Sequence, residues 1–324
     1  MTEGRRFNRF RLPPAARWLL TVGVLIVLVW ALDTDRLVEE LSRFSLWAVG
    51  LALLVSVAQV VLSAWRWRFT ARCLGLPLTM KDAVRDYYLA TFLNQCLPGG
   101  VMGDVNRAWR HGLSSGERLV ALHGVMIERL SGQVVMLTVA LCAGVWLVAS
   151  HPGIQALAEQ WRGGFWIALV LLVAGAGIAL VCRRGLWQGI RDYLAALRRD
   201  IFRGLLSPRA LPLQLASSLL VIATYLAVFW LLAFSARGSL TPGQSLTLLA
   251  LCSLLLLAMI IPLTVAGWGV REGAAAVLWP LAGLPAEQGV ALSVGYGLTV
   301  LLSSLPGSLF VFSHAGFGHP GRHD

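Results

Sequence analysis

Apolar runs recur along the chain at lengths that suit a bilayer. A spanning helix needs about 20 mostly apolar residues, and six stretches qualify: 14–32, 45–64, 121–149, 165–182, 211–234 and 286–312. Two further apolar regions, 83–112 and 244–283, are interrupted by proline, glycine and charge. Each is long enough for a hairpin of two half-helices and too broken for one continuous span. The two breaks share a pattern. Pro98 is followed by Gly103 five residues on and Arg107 nine on, and Pro262 is followed by Gly267 and Arg271 at the same offsets. Broken segments at matching places in two halves of a membrane protein point to a binding site near the bilayer midplane.

The charges between these runs set an orientation under the positive-inside rule. Arg5, Arg6, Arg9, Arg11 and Arg17 place the N-terminal tail, residues 1–17, in the cytoplasm. The 33–44 loop holds Asp33, Asp35, Glu39 and Glu40 against Arg36 and Arg43, and belongs outside. Residues 65–85 return inside with Arg66, Arg68, Arg72, Lys81 and Arg85. A full crossing by 83–112 would strand Arg110 and Arg118 outside, whereas a re-entrant hairpin opening to the cytoplasm keeps them in. The 183–209 segment, with seven arginines, is also cytoplasmic, and the second hairpin then opens from outside. The expected architecture is an all-α polytopic membrane protein of two inverted-topology repeats, 18–150 and 165–313. Each repeat has three spanning helices and one broken re-entrant hairpin. Eight full spans would equally leave both termini cytoplasmic. Residues 1–324 read as a single membrane domain ending in a flexible tail at 314–324.

Composition narrows the class. Of 324 residues, 57% are hydrophobic and 13% charged, against about 25% charged in an average soluble domain. A soluble chain of this size would need far more polar surface. The net charge of +11 sits in short arginine clusters beside apolar runs, without a basic-aromatic module. That suits an anionic cytoplasmic leaflet and sets nucleic acid aside. The N-terminal arginines before Trp18–Leu32 resemble a signal peptide, but Trp30-Ala31-Leu32-Asp33 offers no small-x-small cleavage site, so a retained first helix is expected. Cys73, Cys96, Cys142, Cys182 and Cys252 lack metal-ligand spacing and read as small buried hydrophobes. His314, His319 and His323 fall in the Gly-rich tail, and neither a metal nor another cofactor is expected.

The breaks carry the candidate chemistry. Irregular backbone inside a bilayer must be shielded by protein or line a wet cavity. Pro98, Gly99, Gly100 and Gly103 in one break, and Pro262, Gly267 and Gly269 in the other, therefore predict cavity walls. A half-helix that starts at such a break turns its free N–H groups toward the cavity, where anions bind. Arg107 and Arg271 lie about one turn into those half-helices, beside Asp104 and Glu272. A third site, Glu128 with Arg129, precedes the most apolar part of its helix. The plain account is structural ion pairing, or snorkelling for Arg129. The alternative is exchange, with an arginine held by an acid when empty and by a phosphate when loaded. Asp104, Glu128 and Glu272 balance Arg107, Arg129 and Arg271, which predicts a neutral core. Tyr87, Tyr88 and Asn94 fit the lining of the first hairpin, although an interfacial aromatic belt accounts for the tyrosines as well; Trp268 sits in the second break, while Trp65–Arg68 reads as an interfacial anchor. No Ser/His/Asp set, P-loop or acidic metal pair accompanies them, so an enzyme is not expected.

Three segments in order, Leu97-Pro-Gly-Gly-Val-Met-Gly-Asp-Val-Asn-Arg107, Glu128-Arg-Leu-Ser-Gly132 and Gly267-Trp-Gly-Val-Arg-Glu272, resemble the lysylphosphatidylglycerol synthase transmembrane family. That family is also called the flippase-like or UPF0104 domain, and the resemblance covers nearly the whole chain. It implies a multi-pass protein of the cell inner membrane associated with moving lipids between leaflets. In bifunctional members an attached synthase domain makes the aminoacylated phosphatidylglycerol that this domain translocates. No synthase domain is expected beyond residue 324, so synthesis of that lipid is not inferred. The expected function is lipid transport of an anionic or phosphate-bearing lipid held between the two hairpins. Arg107, Arg129 and Arg271 would hold the head group, with Asp104, Glu128 and Glu272 as exchange partners. Two other classes stay open. One is an intramembrane enzyme of polyprenyl-phosphate or phospholipid metabolism, with Glu128 or Asp104 as general base. The other is an accessory subunit presenting lipid to a lipid-synthesising partner enzyme.

Overall fold

The computed structural model describes residues 14–97, 100–160, 187–260 and 264–312. The expected span at 165–182, together with Pro98, Gly99, Pro262, Cys182 and the tail at 314–324, lies outside them. The first half contains α1 (Pro14–Ala31), α2 (Thr34–Ser42), α3 (Leu46–Cys73), α4 (Met80–Cys96), α5 (Met102–Ser115) and α6 (Arg118–Ser150). Residues 152–160 are helical and count as α7. Then follow α8 (Trp187–Ile201), a π-helical turn (Phe202–Leu206), α9 (Ala210–Arg237), α10 (Pro242–Ala258), α11 (Val270–Leu281) and α12 (Ala286–Ser304). A 3₁₀ turn (Leu305–Ser308) leads into α13 (Leu309–Phe312).

Length divides these helices into two kinds. Among the described residues, α3, α6, α9 and the Ala286–Val311 unit are long and apolar enough to cross a membrane. The first apolar run supplies a fifth if Trp18–Ala31 and Thr34–Ser42, bent by 101° at their junction, count as one span. By contrast α4 and α5 have 17 and 14 residues, and α10 and α11 have 17 and 12. At about 1.5 Å per residue these reach about 18–26 Å, short of a hydrocarbon core of about 30 Å. Both interrupted regions thus fold as pairs of short helices, α4 against α5 and α10 against α11.

Local signals explain where these helices begin. Thr79 caps α4 by accepting from the Asp82 N–H, and Thr241 with Gln244 forms a reciprocal capping box before Pro242. The close approach of α4 and α5 needs Gly103, since a Cβ there would stand 2.0 Å from the Ala90 carbonyl oxygen. Gly269, at φ +88°, starts α11 in a conformation that suits glycine. The Glu272 carboxylate reaches back to accept its N–H at 2.6 Å.

Two polar segments expected as loops are helices. Asp33 accepts from the amides of Asp35 and Arg36 and so starts α2. The 183–209 segment contains α8 and the π turn. The third correction matters more. The apolar run 45–64 does not end the helix, because α3 continues to Cys73. Trp67 is fully buried and Arg66 is 5% exposed, so this run is not an interfacial anchor. The helix can continue because the Arg66 charge has partners inside the protein.

The interior is patterned for a membrane. On α3 the buried face carries Ser56, Gln59, Ser63, Arg66 and Thr70, while Leu46 and Leu54 lie outside. The main apolar core gathers around Phe229, Leu251, Leu255, Trp279 and Tyr296, where Phe229 and Tyr296 stack at 4.1 Å. A smaller one, Ala64, Trp67, Ala83, Ala108 and Val125, sits under the first helix pair. Of the four described cysteines only Cys252 is buried, and Cys142 is exposed on α6, against the expectation of burial. An apolar thiol on a lipid-facing helix meets a solvent as apolar as the core, so burial is not required of it.

Candidate functional site

Five helices bring their polar side chains to one point. α5 supplies Asp104 and Arg107 three residues apart, α6 supplies Glu128 and Arg129, and α3 supplies Arg66. Arg107 donates from Nε to Asp104 Oδ1 at 2.8 Å and from Nη2 to Glu128 Oε2 at 2.5 Å. Arg66 donates to the other Glu128 oxygen from Nε at 3.1 Å and from Nη2 more closely still, and to Ser218 Oγ of α9 at 3.0 Å. Arg129 does not pair with its neighbour Glu128 but reaches Asp104 Oδ2 at 2.5 Å. From α4, Asn94 donates to Asp104 at 3.3 Å and accepts the Gly103 amide at 2.8 Å, fixing the start of α5.

Burial grades across this cluster. Arg107 and Glu128 are wholly buried, whereas 44% of the Arg129 side chain is open. Arg129 is both paired with Asp104 and partly open, which fits head-group exchange and interfacial snorkelling alike. Arg107 lies between two rings, its guanidinium carbon 5.0 Å from the Trp67 centroid and 4.7 Å from that of Tyr87. Its Nη1 is buried without a hydrogen-bond partner.

The second break holds a smaller cluster. Arg271 donates to Ser293 Oγ at 2.6 Å and to Glu272 Oε1 at 2.7 Å, and Ser293 donates to that same oxygen at 2.8 Å. Arg271 also sits between a tryptophan and a tyrosine, 5.2 Å from the Trp268 ring and 5.1 Å from Tyr296. Gly267 has a positive φ and packs toward Met259. The structure therefore joins the six predicted charged residues as two groups, Asp104–Arg107–Glu128–Arg129 and Arg271–Glu272. No hydrogen bond among the described residues links them. Tyr225 of α9 lies within electrostatic reach of Arg66, Arg129, Glu128 and Tyr296.

Arg66 changes the charge count. The first group has three guanidinium groups, Arg66, Arg107 and Arg129, around two carboxylates, Asp104 and Glu128. The expected neutral core is corrected to an excess of one positive charge. Four other side chains were missed, Ser218, Tyr225, Ser293 and Tyr296. A signal was available in α3, where Ser56, Gln59, Ser63, Arg66 and Thr70 recur at alternating intervals of three and four, one stripe of a helix. Among the described residues no group of three or more His, Cys, Asp or Glu is placed to hold a metal ion.

Long apolar helices, paired short ones and arginines buried among them define a multi-pass α-helical membrane protein with a polar interior site. The sequence pattern of the lysylphosphatidylglycerol synthase TM region matches residues 16–307. The chain belongs to that family, which ties the membrane domain to lipid handling. A search of curated proteins finds no match to the chain.

Proposed function

We propose that the protein binds an anionic, phosphate-bearing lipid by its head group and moves it between leaflets of the cell inner membrane. The observation that carries this reading is the uncompensated positive charge at Arg66, Arg107 and Arg129. Burying an unpaired charge is costly, and an entering phosphate would offset that cost. Arginine suits this exchange, because its planar donors meet carboxylate and phosphate oxygens with the same geometry. The open Arg129 would meet the head group first, taking phosphate in place of Asp104. The buried Nη1 of Arg107 has a donor to offer behind it.

The short helix pairs on either side of each break support half-helices that stop within the bilayer. Under this reading they are the re-entrant hairpins of two inverted repeats, opening to opposite faces, with both termini cytoplasmic. The Arg271 cage would then be the counterpart site for the other leaflet. An enzyme is disfavoured by Glu128, whose two oxygens already accept from Arg66 and Arg107 and offer little to a substrate proton.

Native mass spectrometry of the purified protein beside an Arg107→Ala/Arg271→Ala double variant tests the binding step. A defined phospholipid or polyprenyl phosphate should be kept by the natural chain and lost by the variant. Identical lipid in both would reject the arginines as head-group ligands. In proteoliposomes, translocation should expose a fluorescent phosphatidylglycerol to an outside quencher faster than in empty vesicles.

A further inference from the structure

α5 has a second working face. Its buried side chains Asp104 and Arg107 turn toward the arginine cluster, while Asn106, Trp109, Arg110 and Leu113 turn the other way. These latter residues wall a cavity of about 800 Å³ between α4, α5, α13 and the Pro77–Thr79 turn. That volume lies within the roughly 300–1,000 Å³ of ordinary ligand sites.

The cavity is polarised along the α4–α5 hairpin. Leu89, Leu93, Phe310 and Val311 line it toward the break and α13. At the other end Arg85 contacts Asp82 at 3.2 Å and Asp86 at 3.0 Å, and Arg110 contacts Asp86 at 3.0 Å. This rim holds two cations and two anions and has no net charge, unlike the arginine cluster. Its accessible members are one of each sign, Asp82 with 41% and Arg85 with 31% of the side chain open. His111 closes the inner wall of the cavity. It lines the cavity, is 2% exposed, and has Nε2 3.1 Å from the Pro77 carbonyl. A carbonyl only accepts, so Nε2 carries the proton and the buried Nδ1, which has no partner, is an acceptor.

We propose that this cavity binds one phospholipid with a zwitterionic head group, separately from the arginine cluster. Arg85 and Arg110 face the phosphate, Asp82 faces the ammonium, and an acyl chain lies along Leu89 and Leu93. Both charges of such a head find a partner on a neutral rim, whereas an anionic head would leave the carboxylates facing it unanswered.

The test uses the full chain in vesicles of phosphatidylethanolamine and phosphatidylglycerol, with a photoactivatable diazirine phosphatidylethanolamine as probe. Cross-links should concentrate on Leu89, Leu93, Trp109 and Leu113, and be displaced by unlabelled phosphatidylethanolamine. Leu93→Trp, which fills the apolar end, and the surface pair Asp82→Asn/Arg85→Gln should each lower cross-linking there at least tenfold. The two variants alter opposite ends, so a fold defect in one leaves the other informative. Cross-linking spread evenly over the lipid-facing helices, unchanged in a folded variant, or displaced equally by phosphatidylglycerol would overturn the proposal.

Discussion

Arg66→Met isolates the charge that the functional proposal depends on. Arg66 is 5% exposed and spends its donors on Glu128 and Ser218. Methionine keeps much of the length and removes the cation, leaving Arg107 and Arg129 to balance Asp104 and Glu128. The cluster becomes neutral. A hydrogen bond to a charged group is worth about 1.5–3 kcal/mol, so losing the excess cation should weaken phosphate-bearing lipid by about 10- to 150-fold. Stability should respond differently, because Glu128 still holds Arg107. The contrasting variant is Glu128→Gln, which leaves three cations against one carboxylate. Stranding buried charge in this way costs about 3–5 kcal/mol, and Glu128→Gln should therefore be the less stable of the two. Lipid titration by native mass spectrometry reads the first effect and thermal unfolding in detergent reads the second. If Arg66→Met retains phosphate-bearing lipid at the natural occupancy, the excess charge is not what binds it. If Glu128→Gln melts with the natural chain, the cluster is hydrated and the electrostatic argument fails.

Other outcomes follow from single positions. Gly103→Val should prevent the α4–α5 pair from closing, because even a Cβ would stand 2.0 Å from the Ala90 carbonyl oxygen; overpacking costs about 1–3 kcal/mol or more, and monodisperse protein should be lost on size-exclusion chromatography. Arg271→Ala should abolish lipid translocation with near-normal accumulation, and failure to accumulate would mark the Arg271–Glu272 pair as structural. A cysteine at Gly238 should label from outside the cell and one at Gly189 from inside, and the reverse pattern would invert the topology. Gly269→Ala should destabilise the start of α11 by about 1–2 kcal/mol, the cost of left-handed backbone for a residue with a Cβ, seen as a lower melting temperature.

Hydrophobic period and length were enough to find α3, α6, α9 and α12, because a bilayer demands long apolar stretches and little else fills them. The breaks were equally legible, since proline and glycine in apolar surroundings have few other uses. Pairing was not. Neighbouring residues Glu128 and Arg129 point to different stripes of α6, and their partners arrive from α3 and α5. Such contacts are set by tertiary packing, which spacing along one helix does not encode. Arg66 escaped for a related reason. Two tryptophans beside arginines have the composition of an interfacial anchor, and only the stripe from Ser56 to Thr70 separates that case from a buried face.

The aromatic cages bear on how a buried arginine can remain exchangeable. Arg107 stands between Trp67 and Tyr87, and Arg271 between Trp268 and Tyr296. A ring face attracts a guanidinium through its quadrupole without consuming an N–H donor. The cage therefore fixes the plane of the side chain while its donors stay at the edge, directed at whichever oxygens are present. Carboxylates held at 2.5–2.8 Å now occupy those donors. Exchanging one carboxylate for a phosphate would leave the stacking intact, so the barrier to loading is the transfer of hydrogen bonds and not the repacking of a core. That distinction would separate a site built for passage from an ion pair built for stability. In the latter, hydrogen bonds to the backbone would serve as well as two rings.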